Sequence, residues 1–200
     1  MALLTVLVAG VLLLAYGLTT TFMANTETAI ASANRAGREA VYAADAAAHA
    51  AIAELAPMSV WDPVLGGQLS AFHDVTMTPR VDGEANPLDL AARTATLQAE
   101  TDAVASGPDR PVWRLFAWGP ASMLLPSPAS IGPFYLAVWF ADDSGDGDGN
   151  PSADANGIVI VHAESYGAGG VLRAVECVIS RSPTTGSRPL LLSWHELRPI

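Results

Sequence analysis

Lysine is absent from this 200-residue chain, cysteine occurs once, and no charged side chain precedes Glu27. Each of these shortages removes a class of explanation. The ten basic residues are all arginine and face twenty acidic ones, for a net charge of −10. A polyanion is bound through clustered positive charge, so nucleic acid is not an expected partner. A single cysteine forbids an intrachain disulfide, and Cys177, set in the apolar run Val175-Glu-Cys-Val-Ile179, reads as a buried structural thiol. The histidines, His49, His73, His162 and His195, are scattered without metal-ligand spacing, and neither a Gly-x-Ser-x-Gly turn nor a phosphate-cradling glycine loop occurs. His162 and Glu164 alternate on one strand face with Ile158 and Ile160, where a structural role is expected. Trp61, Trp113, Trp118, Trp139 and Trp194 are expected in the core or at its edge. The chain therefore reads as something other than an enzyme.

What the sequence does contain begins at Met1. The run Met1-Ala-Leu-Leu-Thr-Val-Leu-Val-Ala-Gly-Val-Leu-Leu-Leu-Ala-Tyr-Gly-Leu18 has no turn signal. An uncharged apolar stretch of roughly 18 residues is long enough to cross a hydrocarbon core of about 30 Å. With no Lys or Arg ahead of it, the stretch 1–25 reads as a membrane-spanning helix half in preference to a cleavable signal, which carries a basic n-region. The helical pattern then continues. From Thr26 to Leu55 the chain is rich in Ala, Glu and Arg, and Ala29, Ala33, Ala36, Ala40, Ala43, Ala47 and Ala50 recur at three- and four-residue steps, giving one small apolar face. Pro57 closes the pattern. The spacing predicts a helix of about 55 residues, roughly 80 Å long, with an amphipathic half over 26–56 that packs on a globular part.

Residues 57–200 are enough for one compact domain. Ala71–Thr78 is predicted as a modest strand and Leu88–Ser106 as a more exposed helix. Strong β-branched and aromatic runs over Val112–Trp118, Phe134–Ala141, Gly157–Tyr166 and Val171–Ser180 predict strands, and Gly167-Ala-Gly-Gly170 suits a hairpin. Pro120, Pro126, Pro128 and Pro133 mark a loop. The tail from Ser182, with Pro183, Gly186, Pro189 and Pro199, reads as irregular, with Leu190–Trp194 a possible edge strand. The fold class expected is α+β, a long helix on an antiparallel sheet. Between two strong strands, 142–156 holds seven Asp or Asn side chains. Calcium takes six to eight oxygen ligands, and Asp alternating with Gly can turn several carboxylates inward. The complete EF-hand pattern fails, since Ala153 stands at the twelfth position counted from Asp142. A looser calcium loop would use Asp142, Asp146, Asp148, Asn150 and Asp154; the competing reading is a solvated loop in which Asp and Gly only form turns.

The apolar start, its unbroken amphipathic continuation and the segment Arg35-Ala-Gly-Arg-Glu-Ala-Val-Tyr-Ala-Ala-Asp-Ala-Ala47 together resemble type IV pilin-like proteins, most nearly minor pilins of the PilX type and GspK-like pseudopilins of type II secretion. Asp45 stands where that family's Tyr/Phe-Ala-Ala-Glu-Ala segment has Glu. The resemblance covers about the first 55 residues. It implies a structural subunit held in the inner membrane by Met1, Leu4, Thr5, Leu7, Val8, Val11, Leu12, Leu14 and Leu18, with an extracytoplasmic head, until the same surface buries against other pilin or pseudopilin subunits in a filament. Prepilin peptidase is an implied partner if a leader precedes Met1; Met1 as initiator and Met1 as mature N-terminus both stay open. Major pilins usually carry Glu at the fifth mature position, and this chain has Thr5, so the resemblance implies a minor or tip-associated subunit. The alternative is a single-pass anchored binding module that does not polymerise.

Overall fold

The structure is a computed structural model that describes residues 1–125, 132–182 and 187–197. Its elements are α1 (Ala2–Leu55), α2 (Asp62–Leu65), α3 (Leu90–Asp102), β1 (Arg114–Pro120), α4 (Ala121–Leu124), β2 (Tyr135–Asp142), β3 (Ile158–Gly167), β4 (Val171–Ser180) and β5 (Leu190–Leu197). The class is α+β, with a long N-terminal helix and one antiparallel sheet. The chain divides into two compact units, Met1–Ala36 and Gly37–Ile200, and the division falls inside α1.

The first unit is helix alone. Nothing interrupts the Ala2–Leu55 run because Gly10, Gly17 and Gly37 are tolerated singly within a long stretch of strong helix formers. Thr5, Thr19, Thr20, Thr21, Thr26 and Thr28 each donate the hydroxyl proton to a carbonyl three or four residues earlier, at 2.8–2.9 Å.

In the second unit the strands run in the order β1-β2-β3-β4-β5, every neighbouring pair antiparallel. The tightest of the four connections is that between β3 and β4. Ala168-Gly169-Gly170 joins β3 to β4, and both glycines take φ near +73°, the left-handed region that a residue with a Cβ avoids. Strand alternation then sorts side chains to two faces. Leu136, Val138 and Phe140 of β2, Val159, Val161 and Ala163 of β3 and Val175, Cys177 and Ile179 of β4 meet the small face Ala40, Ala43, Ala44, Ala47, Ala48 and Ala51 of α1. The alanines let the helix lie close, and Ser165 Oγ donates to the Ala40 carbonyl at 2.6 Å. Gly37 leaves room for a guanidinium, since a Cβ there would stand 3.0 Å from Arg173 NH2.

The opposite face takes α3. Asp89 caps this helix by accepting from Ala92 N–H, and Leu90 and Leu97 are its buried residues. Trp113 and Trp139, on the sheet, donate their indole N–H to Thr101 and Thr94 of α3 at 2.7 and 2.8 Å. Four of the five tryptophans are buried as the sequence suggests; Trp194 is the more exposed one.

Several expectations need correction. Ala71–Thr78 is not a strand. It makes one isolated parallel bridge, His73 to Trp118, with Ser70 N–H donating to Phe116 O and Asp74 N–H to Trp118 O, because it lies along the outer edge of β1 with no partner of its own. Pro120 closes β1 and is followed directly by the short helix α4, where a loop is expected. The tail is more regular than its prolines suggest: β5 extends to Leu197, because its backbone pairs with β4 from Ala174 to Ser180. Pro126, Pro128, Pro183, Gly186 and Pro199 lie outside the described residues.

Candidate functional site: an apolar helix, an acidic loop and a buried charge network

The N-terminal helix presents its apolar side chains outward. Met1, Leu4, Leu7, Val8, Val11, Leu12, Leu14 and Leu18 are all exposed, as are Leu3, Val6, Leu13, Tyr16, Phe22 and Met23 between and beyond them. Globular chains seldom leave so long a contiguous apolar surface uncovered. Thr5 turns its hydroxyl back onto Ala2 O. In hydrocarbon an unsatisfied polar group is costly, so the back-bonded threonines make this helix compatible with an apolar environment on every side. One helix among the described residues is long and apolar enough to cross a membrane; a signal sequence meets the same criterion of length and composition.

The acidic loop is organised around itself. Asp142 is the last residue of β2, its side chain buried, and its Oδ1 accepts from Asp143 N–H at 3.1 Å. Burial first, then the nearby Asp146 carboxylate, pushes the Asp142 carboxyl up to about 7. Asp154 Oδ1 accepts from Gly157 N–H at 2.6 Å and Ile158 N–H at 3.1 Å, closing the loop onto the start of β3. Its other oxygen lies 3.4 Å from Arg181 NH2. Burial pushes the Asp154 carboxyl up against those hydrogen bonds and the Arg181 charge. Asp148 accepts from Asn150 N–H and Asn150 from Ser152 N–H, Asx contacts that hold a turn, and Asp146 accepts from Ala155 N–H across the loop. Thus Asp142, Asp146, Asp148, Asn150 and Asp154 occupy one loop, with at least one oxygen of each engaged by a backbone N–H. Among the described residues no three His, Cys, Asp or Glu side chains form a group that could hold a metal ion.

The sequence reading passed over a third feature. Glu164 is wholly buried under α3 and is held from three directions. Arg93 of α3 grips it through Nε at 2.9 Å and NH2 at 2.6 Å, His162 Nε2 lies 3.0 Å away, and Tyr166 OH donates to its other oxygen. Burial alone would raise the Glu164 carboxyl, but hydrogen bonds from His162 and Arg93 overcome it and hold the group at about 2. For His162, burial opposes the charge and the contacts with Glu164 and Glu176 outweigh it, so its pKa rises. The imidazole sits between the edges of Trp113 and Trp139 at 5.6 and 5.8 Å, and its Nδ1 is 3.8 Å from Glu176. Burial first, then the Glu164 carboxylate, raises the Tyr166 hydroxyl. The available signal was His162-Ala-Glu-Ser-Tyr166, three polar side chains on the face otherwise set with Ile158 and Ile160. This network is sealed under α3, and its geometry suits a structural lock. Cys177 is buried, and burial pushes its thiol up to about 12, which makes it inert.

No family model, curated protein or solved structure matches this chain.

Proposed function

We propose that this chain is a membrane-anchored structural subunit of a type IV pilus-like or type II secretion-like filament, a minor pilin or pseudopilin, and that it carries no reaction of its own. The observation that supports this reading most strongly is the N-terminal helix. Its large side chains are exposed on all sides over Met1–Met23 while its threonine hydroxyls are satisfied internally. Within the same helix, from Gly37 onward, an alanine face is buried on a sheet.

Such a helix has two favourable environments, a bilayer before assembly and neighbouring apolar helices after it. In the second, Gly10 and Gly17, which have nothing within 4 Å of where a Cβ would stand, permit close backbone approach. Thr5 fits a subunit that does not place a carboxylate in the filament core, where an unpaired one would be costly. Replacing Leu12 and Leu13 together by Asp adds about 6–8 kcal/mol to the cost of inserting the segment. The variant is expected in the soluble fraction of cells expressing it; an unchanged membrane fraction would overturn anchoring. A crosslinking pull-down that recovers no helix-anchored subunits, with anchoring intact, would favour an anchored binding module that does not polymerise.

A further inference from the structure

The two edges of the sheet are treated differently. Along β1 the segment Ser70–Asp74 lies against the outer edge and donates two backbone hydrogen bonds to it. Among the described residues β5 pairs with β4 alone, so its outer row of N–H and C=O groups is open. Edge strands are normally blunted by charge. Residues 189–194 carry none, and Leu190, Leu191, Leu192 and Trp194 are 55, 50, 54 and 40% exposed.

Charge stands at the two ends of this edge instead. Arg188 lies just before β5 and Glu196 near its close; both are exposed, and among the described residues neither side chain makes a hydrogen bond or an ion pair. Beside the start of the strand is a groove of about 450 Å³ lined by Ala46, Ala50, Ile52, Ile179 and Leu191, with Arg188 in the same lining. An apolar groove alone would accept any hydrophobic side chain. A guanidinium without a partner at the same place calls for a carboxylate, which it can bind through two parallel hydrogen bonds.

We propose that β5 receives the C-terminal segment of a partner protein, which adds antiparallel as a sixth strand, places an apolar side chain in the groove and sets its terminal carboxylate on Arg188. This holds whether or not the chain enters a filament. The direction follows from the charges. An antiparallel strand ends where β5 begins, so its carboxylate reaches Arg188 and its upstream end lies by Glu196, where a basic residue is favoured; a parallel strand would carry its carboxylate to Glu196. The terminus follows from Pro189. Having no N–H, it ends the ladder that β5 can offer, so the added main chain stops being paired beside Arg188. The side-chain face follows from register. Leu191 and Trp194 stand opposite Ile179 and Cys177 of β4, on the face that looks toward α1, and a residue added opposite Leu191 points to that face, where the groove lies. Trp194 is already fixed as a wall, since its indole N–H donates to Asp45 of α1 at 2.8 Å. Main-chain pairing, one pocket and a captured carboxylate together make a known mode of peptide recognition.

The test uses the full chain in detergent and a fluorescein-labelled peptide as long as β5, eight residues, of alternating Thr and Val after an initial Arg, read by fluorescence anisotropy. Made with a free C-terminal carboxylate, it should bind at least about tenfold more tightly than the same peptide amide, the value of a charged hydrogen bond. Arg188→Ala, an exposed change, should remove that difference and leave both peptides as weak as the amide. N-methylation of the alternate peptide amides that face β5 should weaken the acid by a similar factor, which separates strand addition from filling of the groove alone. Failure of both peptides to bind, equal binding of acid and amide, an acid preference that survives R188A, or undiminished binding after N-methylation would overturn the proposal. So would a peptide amide with Glu at its last position that matches the acid.

Discussion

Replacing Arg93 by Ala isolates the buried network that fastens α3 to the sheet. In the native protein the Glu164 carboxylate is completely buried and receives two guanidinium contacts at 2.6 and 2.9 Å. Removing one partner of a buried ion pair leaves an uncompensated charge and costs about 3–5 kcal/mol. His162 and Tyr166 still touch Glu164 in the variant, which places the loss near the lower end, about 3 kcal/mol. For a unit of this size that lowers Tm by about 6–12 °C. The sign of its pH dependence follows from the groups involved. Glu164 is held at about 2, below its ordinary value near 4.5, so its contribution is present above that ordinary value and is lost as pH falls toward 2. His162 is shifted up, so its contribution is present below its ordinary 6.5 and is lost as pH rises through the raised value. Without Arg93 the Glu164 carboxyl rises, and the penalty of R93A shrinks as pH drops from 7 to 4. Thermal unfolding followed by near-ultraviolet circular dichroism reads this directly, because Trp113 and Trp139 flank His162. A double-mutant cycle with Glu164→Gln should show coupling of at least about 2 kcal/mol. A loss below about 1 kcal/mol, or one of equal size at pH 7 and pH 4, would refute the reasoning.

Two further outcomes concern the acidic loop. Asp142 is raised to about 7, so its ionisation opposes folding: the penalty is absent below about pH 4, grows between 4 and 7 and is constant above. Asp142→Asn keeps the acceptor for Asp143 N–H and should stabilise the protein by about 1–2 kcal/mol at pH 8 and by nothing at pH 4; an equal effect at both would refute this. Because one oxygen of each of these loop side chains is engaged by a backbone N–H, saturating calcium or excess chelator should leave Tm within about 1 °C of its starting value, whereas tight binding to the native state would raise it by several degrees. A calcium-dependent rise would show that Asp142, Asp146 and Asp154 turn onto an ion.

Much of the fold was legible because its signals are local. The alanine steps of α1 are buried from Ala40 onward, while Ala29 and Ala33 on the same steps stay exposed; the apolar runs of β2, β3 and β4 are read directly, and β4 falls on Val171–Ser180 as read from the sequence. Ala71–Thr78 was misread for the opposite reason. Phe72, Val75 and Met77 are exposed, and the segment touches β1 through a single bridge, too little pairing to make a strand. Of β5, Leu190–Trp194 was legible as an edge strand, and its continuation to Leu197 comes from pairing with β4. The buried network was half visible: His162 and Glu164 share a strand face, but Arg93 is 71 residues away, and only α3 lying on that face converts an ordinary glutamate into a buried one. For the acidic loop the residue types were plain, yet composition does not tell an oxygen aimed at an ion from one capping its own turn.

We propose that the exposed apolar helix is an assembly surface as well as an anchor. A photo-crosslinking residue at Leu7, 63% exposed and within that surface, tests this in intact cells of the native host. Covalent adducts with other proteins anchored by N-terminal apolar helices, formed through those helices, are expected; adducts with lipid alone would contradict assembly through this helix.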